Sequence, residues 1–131
     1  MADLLLDQGW LTAEDAETMR ALGLFGELIG NTDMHFGNLA FALADAAPLG
    51  LVPAYDMLPM LYAPGPNGAI VGQNFQPPVP LPRYHAAWLR AAQAAQQFWA
   101  AVESGGEIST GFRVLAAANG ESVRRLLARF G

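Results

Sequence analysis

A short polar segment, GNTDMHFGN at positions 30–38, holds three side chains that could do chemistry in a chain of which only 15% is charged. Asp33, His35 and Asn38 lie within six residues of one another, and Asp56 follows after an apolar stretch. Two carboxylates and a carboxamide provide the oxygen ligands that Mg²⁺ prefers. They also suit phosphoryl transfer, in which one Asp accepts the proton of the attacking hydroxyl while an Asn and a second Asp hold the metal ions.

The order of these residues carries information beyond their types. Asp33, four residues, Asn38 and then a later Asp is the order that protein kinases use. Each residue also has a simpler interpretation. Asp and Asn are common in turns and helix caps, His35 beside an apolar run is typical of a hydrogen-bonded packing residue, and Asp56 could be a turn acid. The spacing alone therefore leaves a phosphotransfer site and an ordinary turn as open alternatives.

The position of the segment depends on a helix predicted before it. A capping-box pattern, TAED with Asp in place of Glu, starts at Thr12, and apolar residues then recur every three or four positions as far as Ile29. This spacing predicts a helix over about 13–29. Gly30 and Asn31 both tolerate left-handed conformations, so the helix is expected to stop there.

After the polar segment, two short apolar runs predict a small β-hairpin. The runs are 38–43 and 51–54, and Pro53 places the second run at an edge or an end of the sheet. The two ends of a hairpin lie near each other, so Asn38 at its start and Asp56 just past its end are expected to converge. Asp33 would then lie about one turn of loop away from them.

The second half of the chain is predicted to be helical after an irregular connector. Residues 64–82 contain six of the nine prolines, and the run at 77–82 is expected to form a stiff polyproline II stretch over the domain surface. A stripe of aromatic and small residues at helical spacing then predicts a helix with a buried face. The stripe consists of Tyr84, Trp88, Ala91, Ala95, Trp99 and Val102.

Small and polar residues mark the later helix boundaries. Gly105–Gly106 is expected to end the stripe helix, and Ser109 is expected to cap the next one. Asn119–Gly120 is expected to break or bend that helix, leaving Glu121–Phe130 as a last short helix. The predicted fold class is therefore mainly α, as one domain over residues 1–131 with a small β-hairpin that carries the catalytic and metal-binding loops.

Composition restricts the class of protein. Hydrophobic residues make up 53% of the chain, so we expect a large core or an apolar face that another part covers. Cysteine is absent, which excludes disulfides and thiolate metal sites and favours a cytoplasmic location. No run of about 18 apolar residues occurs, so no membrane span is expected.

The charge is unevenly distributed along the chain. Residues 1–60 contain nine acidic residues and one Arg, whereas residues 61–131 contain three acidic residues and six Arg. The acidic first half argues against nucleic-acid binding and permits divalent cations. The basic excess of the second half is too small for a nucleic-acid footprint, so direct DNA contact is not expected.

Two strings in the sequence resemble a known family. LIGNTDMHFGNLAF followed by LVPAYDMLPM is similar to the C-terminal lobe of HipA-like serine/threonine kinases, the toxin components of bacterial toxin–antitoxin pairs. Ten positions match the family pattern in order: Ile29, Gly30, Asn31, Asp33, His35, Asn38, Leu51, Pro53, Tyr55 and Asp56. The resemblance covers residues 25–60, and it implies that Asn31 caps or orients the catalytic loop and that Tyr55 packs beneath the metal site.

The resemblance also implies a kinase-like fold and ATP-dependent phosphorylation of a protein Ser or Thr. Carried over by position, Asp33 corresponds to the catalytic base. His35 corresponds to a residue that braces the catalytic loop by a hydrogen bond. Asn38 and Asp56 correspond to the Mg²⁺ ligands, through which they hold the cofactor pair of Mg²⁺ and ATP.

Parts that a complete kinase needs are not found before the polar segment. The chain contains no Lys, and no Gly-rich loop precedes residue 30, although kinases use both to hold the phosphates of ATP. The chain is therefore expected to be a C-terminal helical lobe without its N-terminal nucleotide-binding lobe, and to be inactive alone. The expected partners are that N-terminal lobe, an antitoxin protein and a protein substrate.

Two other functions remain open. A non-catalytic helical module could keep the fold in order to bind an antitoxin or a DNA-bound partner, although the intact Asp33, Asn38 and Asp56 argue against a decayed site. A small-molecule phosphotransferase of the aminoglycoside type is the other alternative. Such enzymes usually place His two residues before the catalytic Asp, and Asn31 at that position counts against them.

Overall fold

Four helices and one two-stranded antiparallel sheet are found in the computed structural model, which describes residues 1–42, 44–64, 66–67 and 74–131. The elements are α1 (Ala2–Asp7), α2 (Ala13–Leu28), β1 (Phe41–Ala42), β2 (Gly50–Leu51), α3 (His85–Glu103) and α4 (Thr110–Phe130), with 3₁₀ turns at Phe36–Asn38, Met60–Tyr62 and Pro82–Tyr84. This confirms the prediction of a mainly helical chain with a small hairpin. Among the described residues, no helix is both long and apolar enough to cross a membrane.

Helix α2 begins with a side-chain cap and ends before a glycine, as the sequence predicts. The Thr12 hydroxyl accepts a hydrogen bond from the Asp15 amide at 3.1 Å, which satisfies a free N–H of the first turn. The reciprocal half of the predicted capping box is replaced by another contact, because the Asp15 carboxylate accepts from the Leu51 amide of β2 at 3.2 Å. Gly30 follows the helix with φ +74°, a conformation that favours glycine.

Helix α3 lies at the centre of the core, with α2 and α4 packed against it. Four positions of the predicted stripe are buried: Trp88, Ala91, Ala95 and Trp99. Tyr84 and Val102, at the two ends of the stripe, are half-buried. The Trp99 indole N–H donates to the carbonyl of Leu28 at 3.1 Å, so the central helix holds the last residue of α2 directly.

The proline-rich connector packs on the same helix. The Trp88 indole N–H donates to the carbonyl of Pro78 at 2.8 Å, which holds the connector against the first turns of α3. This contact agrees with the prediction of a stiff stretch that crosses the surface. Of the predicted irregular segment 64–82, residues 65 and 68–73 lie outside the described residues.

Helix α4 runs unbroken through Asn119 and Gly120, so the predicted break and the separate last helix are wrong. The Asn119 side chain is 6% exposed and donates to the Tyr62 hydroxyl at 2.8 Å. A Cβ added to Gly120 would lie 3.3 Å from the Cβ of Trp99, so glycine lets α4 approach α3 closely. Tertiary packing therefore accounts for a residue pair that resembles a turn signal.

The predicted hairpin is present, but it is shorter than expected. Its strands are joined, in the described part of the chain, by two residue pairs: Phe41 with Leu51 and Ala42 with Gly50. Asn38 lies in a 3₁₀ turn rather than in the first strand, and Leu43 lies outside the described residues. The Leu49 amide also donates to the carbonyl of Trp10 at 2.8 Å, so the hairpin rests on the segment before α2 as well as on its own ladder.

The sequence pattern does not predict helix α1. The carboxylate of Asp3 connects this helix to α2 and to the turn before α3. Asp3 accepts hydrogen bonds from the Arg20 guanidinium, with Nε at 3.0 Å, and from the Tyr84 hydroxyl. Arg20 also contacts Glu17 at 3.1 Å. These contacts connect α1 to α2 and to the turn that precedes α3.

We expect the attachment of α1 to be weakened in acid. Hydrogen bonds from Tyr84 and then Arg20 lower the pKa of Asp3 below its usual 3.8. A lowered pKa stabilises the folded state above pH 3.8, and this contribution disappears as the pH falls through the lowered value. Amide protection factors of Leu5 and Leu6 should therefore fall below pH 3.8, and Asp3→Asn should lower them at neutral pH.

The matched control is Asp7→Asn at the other end of α1, where the carboxylate faces solvent. Because this residue is not part of the contact between Asp3 and Arg20, its replacement should leave the protection of α1 at neutral pH close to that of the unchanged chain. Equal losses in the two variants would mean that the contact of Asp3 with Arg20 and Tyr84 does not hold the helix.

Candidate active site

The polar segment at 30–38, here the 30–38 loop, starts where α2 ends against the Met60–Tyr62 turn. The carbonyl of Gly30 accepts a hydrogen bond from the Leu61 amide at 2.8 Å. A Cβ on Gly30 would lie 3.3 Å from the Cβ of Leu61, so the close approach as well as the positive φ favours glycine. The loop is thus fixed at its first residue by a segment that lies just beyond Asp56 in the chain.

Asn31 joins the two segments that carry the predicted site residues. Its side chain is 7% exposed, and its Oδ1 accepts from the Asp33 amide at 3.2 Å. Its Nδ2 lies 3.4 Å from the carbonyl oxygen of Asp56 and 3.9 Å from the sulfur of Met57. The predicted orienting role of Asn31 agrees with this geometry.

Asn38 closes the other end of the loop. Its side chain is 4% exposed, and its Oδ1 accepts from the His35 amide at 3.0 Å. Its backbone carbonyl accepts from the Tyr55 amide at 3.4 Å, which brings the end of the loop beside the residue before Asp56. A carboxamide oxygen has two lone pairs, so the bond to His35 leaves acceptor capacity on the atom that the sequence analysis expects to hold a metal ion.

His35 is exposed and hydrogen-bonded within its own loop. Its Nδ1 accepts from the Gly37 amide at 3.0 Å, an arrangement that places the proton of the neutral ring on Nε2. A Cβ at Gly37 would come within 2.7 Å of the imidazole ring, so the glycine makes room for this contact. The geometry fits the bracing role that the resemblance implies.

Asp33 and Asp56 both lie at the surface. Asp56 has φ +57°, which is uncommon for a residue other than glycine. Its carbonyl oxygen accepts from the Leu58 amide at 3.1 Å as well as from the side chain of Asn31. Two hydrogen bonds to the Asp56 carbonyl, one from the backbone and one from a side chain, therefore hold this left-handed backbone conformation.

The donor set fits Mg²⁺ better than an ion that needs a complete cage of protein ligands. Among the described residues, no three acidic or histidine side chains come together as a metal-binding group. Mg²⁺ is usually held by one or two carboxylates together with waters and substrate phosphates. The Asp56 carboxylate and the amide oxygen of Asn38 are donors of the types that such a site uses.

The expected position of Tyr55 beneath the site is wrong. Its side chain is 52% exposed, and its hydroxyl donates to the carbonyl of Gly37. A tyrosine hydroxyl usually forms a hydrogen bond, and the backbone carbonyl of Gly37 accepts it at the surface. Met57, by contrast, packs against the main core and contacts the amide of Asn31.

A cleft of about 790 Å³ opens beside the 30–38 loop. Arg20, Leu24 and Glu27 of α2 line one wall, and Asn31 and His35 line another. Burial raises the pKa of Glu27 above its usual value. Glu27 lies outside the motif residues, although its helical spacing from Arg20 and Leu24 places the three residues on one face of α2.

Comparison with known proteins identifies the family. A model of the HipA-like C-terminal domain matches residues 1–128. Toxin YjjJ of Escherichia coli strain K12 is 38% identical over 130 residues, an alignment that covers 97% of this chain and 29% of the relative. The chain therefore spans less than a third of the length of that relative, and no solved structure matches it. The resemblance seen in the loop and hairpin is confirmed, and the chain belongs to the HipA-like C-terminal domain family.

Proposed function

We propose that the chain is the helical lobe of a kinase-like enzyme that transfers the γ-phosphate of ATP to a Ser or Thr of a protein. The observation that carries this proposal is the contact between the 30–38 loop and the Tyr55–Asp56 segment. The Tyr55 amide donates to the carbonyl of Asn38 at 3.4 Å, and the side chain of Asn31 bonds the carbonyl of Asp56. The candidate base and both candidate metal ligands therefore lie on two adjoining segments.

Each residue has a role that its surroundings support. Asp33, with an exposed carboxylate, accepts the proton of the substrate hydroxyl. The hydroxyl oxygen bonds to the γ-phosphorus while the bond between that phosphorus and the β–γ bridging oxygen breaks and ADP leaves. Asn38 and Asp56 hold Mg²⁺, which when bound neutralises charge on the phosphates. His35 keeps the loop in shape through its bond with the Gly37 amide.

The proposed enzyme includes parts that this chain does not supply. Seven Arg are present but no Lys, so the lysine that kinases place on the α- and β-phosphates would come from an N-terminal lobe in the longer protein. The relative is named a toxin, and on that basis we propose an antitoxin protein as partner. The absence of cysteine supports the proposal of a cytoplasmic location. The substrate is proposed to be a protein.

Asp56→Asn in the full-length protein tests the proposal. Asn tolerates a positive φ as well as Asp does, so the variant removes the charge without straining the backbone. We expect transfer of labelled γ-phosphate from ATP to fall by roughly 10²–10³-fold in kcat, as when one preorganised electrostatic contact is removed. The Mg²⁺ concentration for half-maximal rate should rise.

Asp45→Asn serves as the control for this variant. Asp45 is an exposed acid between the two strands of the hairpin, so its replacement changes the same net charge without touching the 30–38 loop. An Asp56→Asn enzyme with the Mg²⁺ requirement and kcat of the Asp45→Asn enzyme would contradict the assigned role.

A further inference from the structure

Asn31 has two different hydrogen bonds on one buried side chain. Its Oδ1 accepts from the Asp33 amide at 3.2 Å, and its Nδ2 donates towards the carbonyl of Asp56 at 3.4 Å. The two partners belong to segments separated by the whole hairpin. The side chain is only 7% exposed at the edge of the cleft and both ends of its amide contact the protein, so we expect it to act through these partners.

The bond to Asp56 acts on a residue whose backbone needs support. Residues other than glycine at positive φ persist where their surroundings hold them, and Asp56 has φ +57°. Two donors fix its carbonyl, namely the Asn31 amide and the Leu58 backbone N–H at 3.1 Å. Fixing that carbonyl fixes the rotation of the peptide group, and therefore the direction of the Asp56 Cα–Cβ bond from which the carboxylate extends.

We infer that Asn31 is a positioning residue that sets the geometry of Asp56 relative to Asp33. The inference rests on the phosphotransferase function proposed above. A carboxamide is suited to this task because it combines an acceptor and a donor. Aspartate at position 31 would keep the acceptor for the Asp33 amide, but it would place a negative oxygen against the carbonyl of Asp56.

The chain offers a matched control in Asn119. This residue is also a buried asparagine, 6% exposed, and its Nδ2 donates to the Tyr62 hydroxyl at 2.8 Å. Because a tyrosine hydroxyl can donate to a carboxylate, Asn119→Asp allows the contact to reverse. Both substitutions replace a buried asparagine by aspartate. They differ in the partner of the amide, which is a candidate site residue for Asn31 and lies outside the candidate site for Asn119.

The first measurement is amide hydrogen exchange in the metal-free, full-length protein. We expect Asn31→Asp to lower the protection of the Leu58 amide, which donates to the Asp56 carbonyl, and to leave the helices protected as before. Asn119→Asp should leave the protection of Leu58 unchanged. Asn31→Ala, which buries no charge, provides the same comparison if the aspartate variant does not fold.

The second measurement is the Mg²⁺ dependence of phosphate transfer by the same proteins. The Mg²⁺ concentration for half-maximal rate should rise about 10–100-fold in Asn31→Asp, the range seen when residues that orient a metal ligand are replaced. Asn119→Asp should keep the Mg²⁺ requirement of the unchanged protein. The KM for the protein substrate should not follow the change in Mg²⁺ requirement, because Asn31 is buried.

The outcomes separate this inference from the proposed function. Equal effects of Asn31→Asp and Asn119→Asp on Leu58 protection, or an unchanged Mg²⁺ requirement in an active Asn31→Asp enzyme, would overturn the positioning role. If the unchanged protein transfers no phosphate, the proposed function fails, while hydrogen exchange still decides whether Asn31 couples the two segments.

Discussion

Asp33→Asn in the full-length protein is expected to lower kcat for phosphate transfer by about 10²–10⁴-fold, the usual contribution of a general base. The carboxamide keeps the size of the side chain but does not accept the hydroxyl proton. The hydrogen bond from the Asp33 backbone amide to Asn31 does not depend on the side chain, so the loop should keep its shape. Initial rates of transfer from labelled ATP under saturating Mg²⁺ measure the effect.

The pattern of kinetic constants is as informative as the size of the loss. Since Asp33 is assigned to the proton and Asp56 to the metal ion, Asp33→Asn should lower kcat with little change in the KM for ATP. Thr32→Ala, at the neighbouring exposed position, controls for disturbance of the loop. A kcat for Asp33→Asn within a few-fold of that for Thr32→Ala would show that another group accepts the proton.

Trp99→Ala is expected to destabilise the chain by about 3–5 kcal/mol, the usual cost of removing a large buried aromatic side chain. That is a large part of the roughly 5–15 kcal/mol that stabilises a typical domain. Trp99 is fully buried, and its ring contacts those of Tyr62, Phe75 and Phe98 edge-on. Its loss would also leave the carbonyl of Leu28 without its indole donor.

Urea unfolding followed by far-UV circular dichroism measures this loss. Trp99→Phe should cost less, about 1–3 kcal/mol for the lost hydrogen bond, because the ring remains. Trp10→Ala is the control, since Trp10 is 47% exposed and its contact with Leu49 is made by the backbone carbonyl. Equal urea midpoints for Trp99→Ala and Trp10→Ala would show that Trp99 does not stabilise the fold more than the exposed Trp10 does.

The meeting of the two site segments could be predicted from local signals. Turn residues and apolar runs predict a hairpin after the 30–38 loop, and a hairpin returns the chain to its starting point. The contact between the Tyr55 amide and the Asn38 carbonyl agrees with that expectation. The length of the hairpin could not be predicted, because its second strand also depends on the Asp15 carboxylate of α2, a partner that no local pattern identifies.

The end of the chain is a case in which local signals give the wrong answer. Asn-Gly is a common turn pair, yet α4 continues through Asn119 and Gly120. The amide finds a buried partner in Tyr62, and the missing side chain lets Trp99 approach. Both reasons lie on other elements, so they become visible only when the helices are packed.

Helix α1 and the position of Tyr55 were not predicted correctly because they also depend on contacts with other parts of the chain. Helix α1 is too short to be marked by periodicity, and it is held by contacts from Asp3 to residues far along the chain. Tyr55 was expected beneath the site because the family resemblance implied that position. Its hydroxyl instead donates to the carbonyl of Gly37 at the surface, a contact between two separate segments.

The support beneath the 30–38 loop also determines when the site can form during folding. Asn119 of α4 holds Tyr62 across 57 positions of sequence, and the neighbouring Leu61 amide holds Gly30. Helical contacts are local and form early, whereas closing long loops is entropically costly and slow. We therefore expect the loop that begins at Gly30 to be completed after α4 has docked. Substitutions in α4, far from the chemistry, would reach the site by lowering the yield of correctly folded molecules rather than by slowing each turnover.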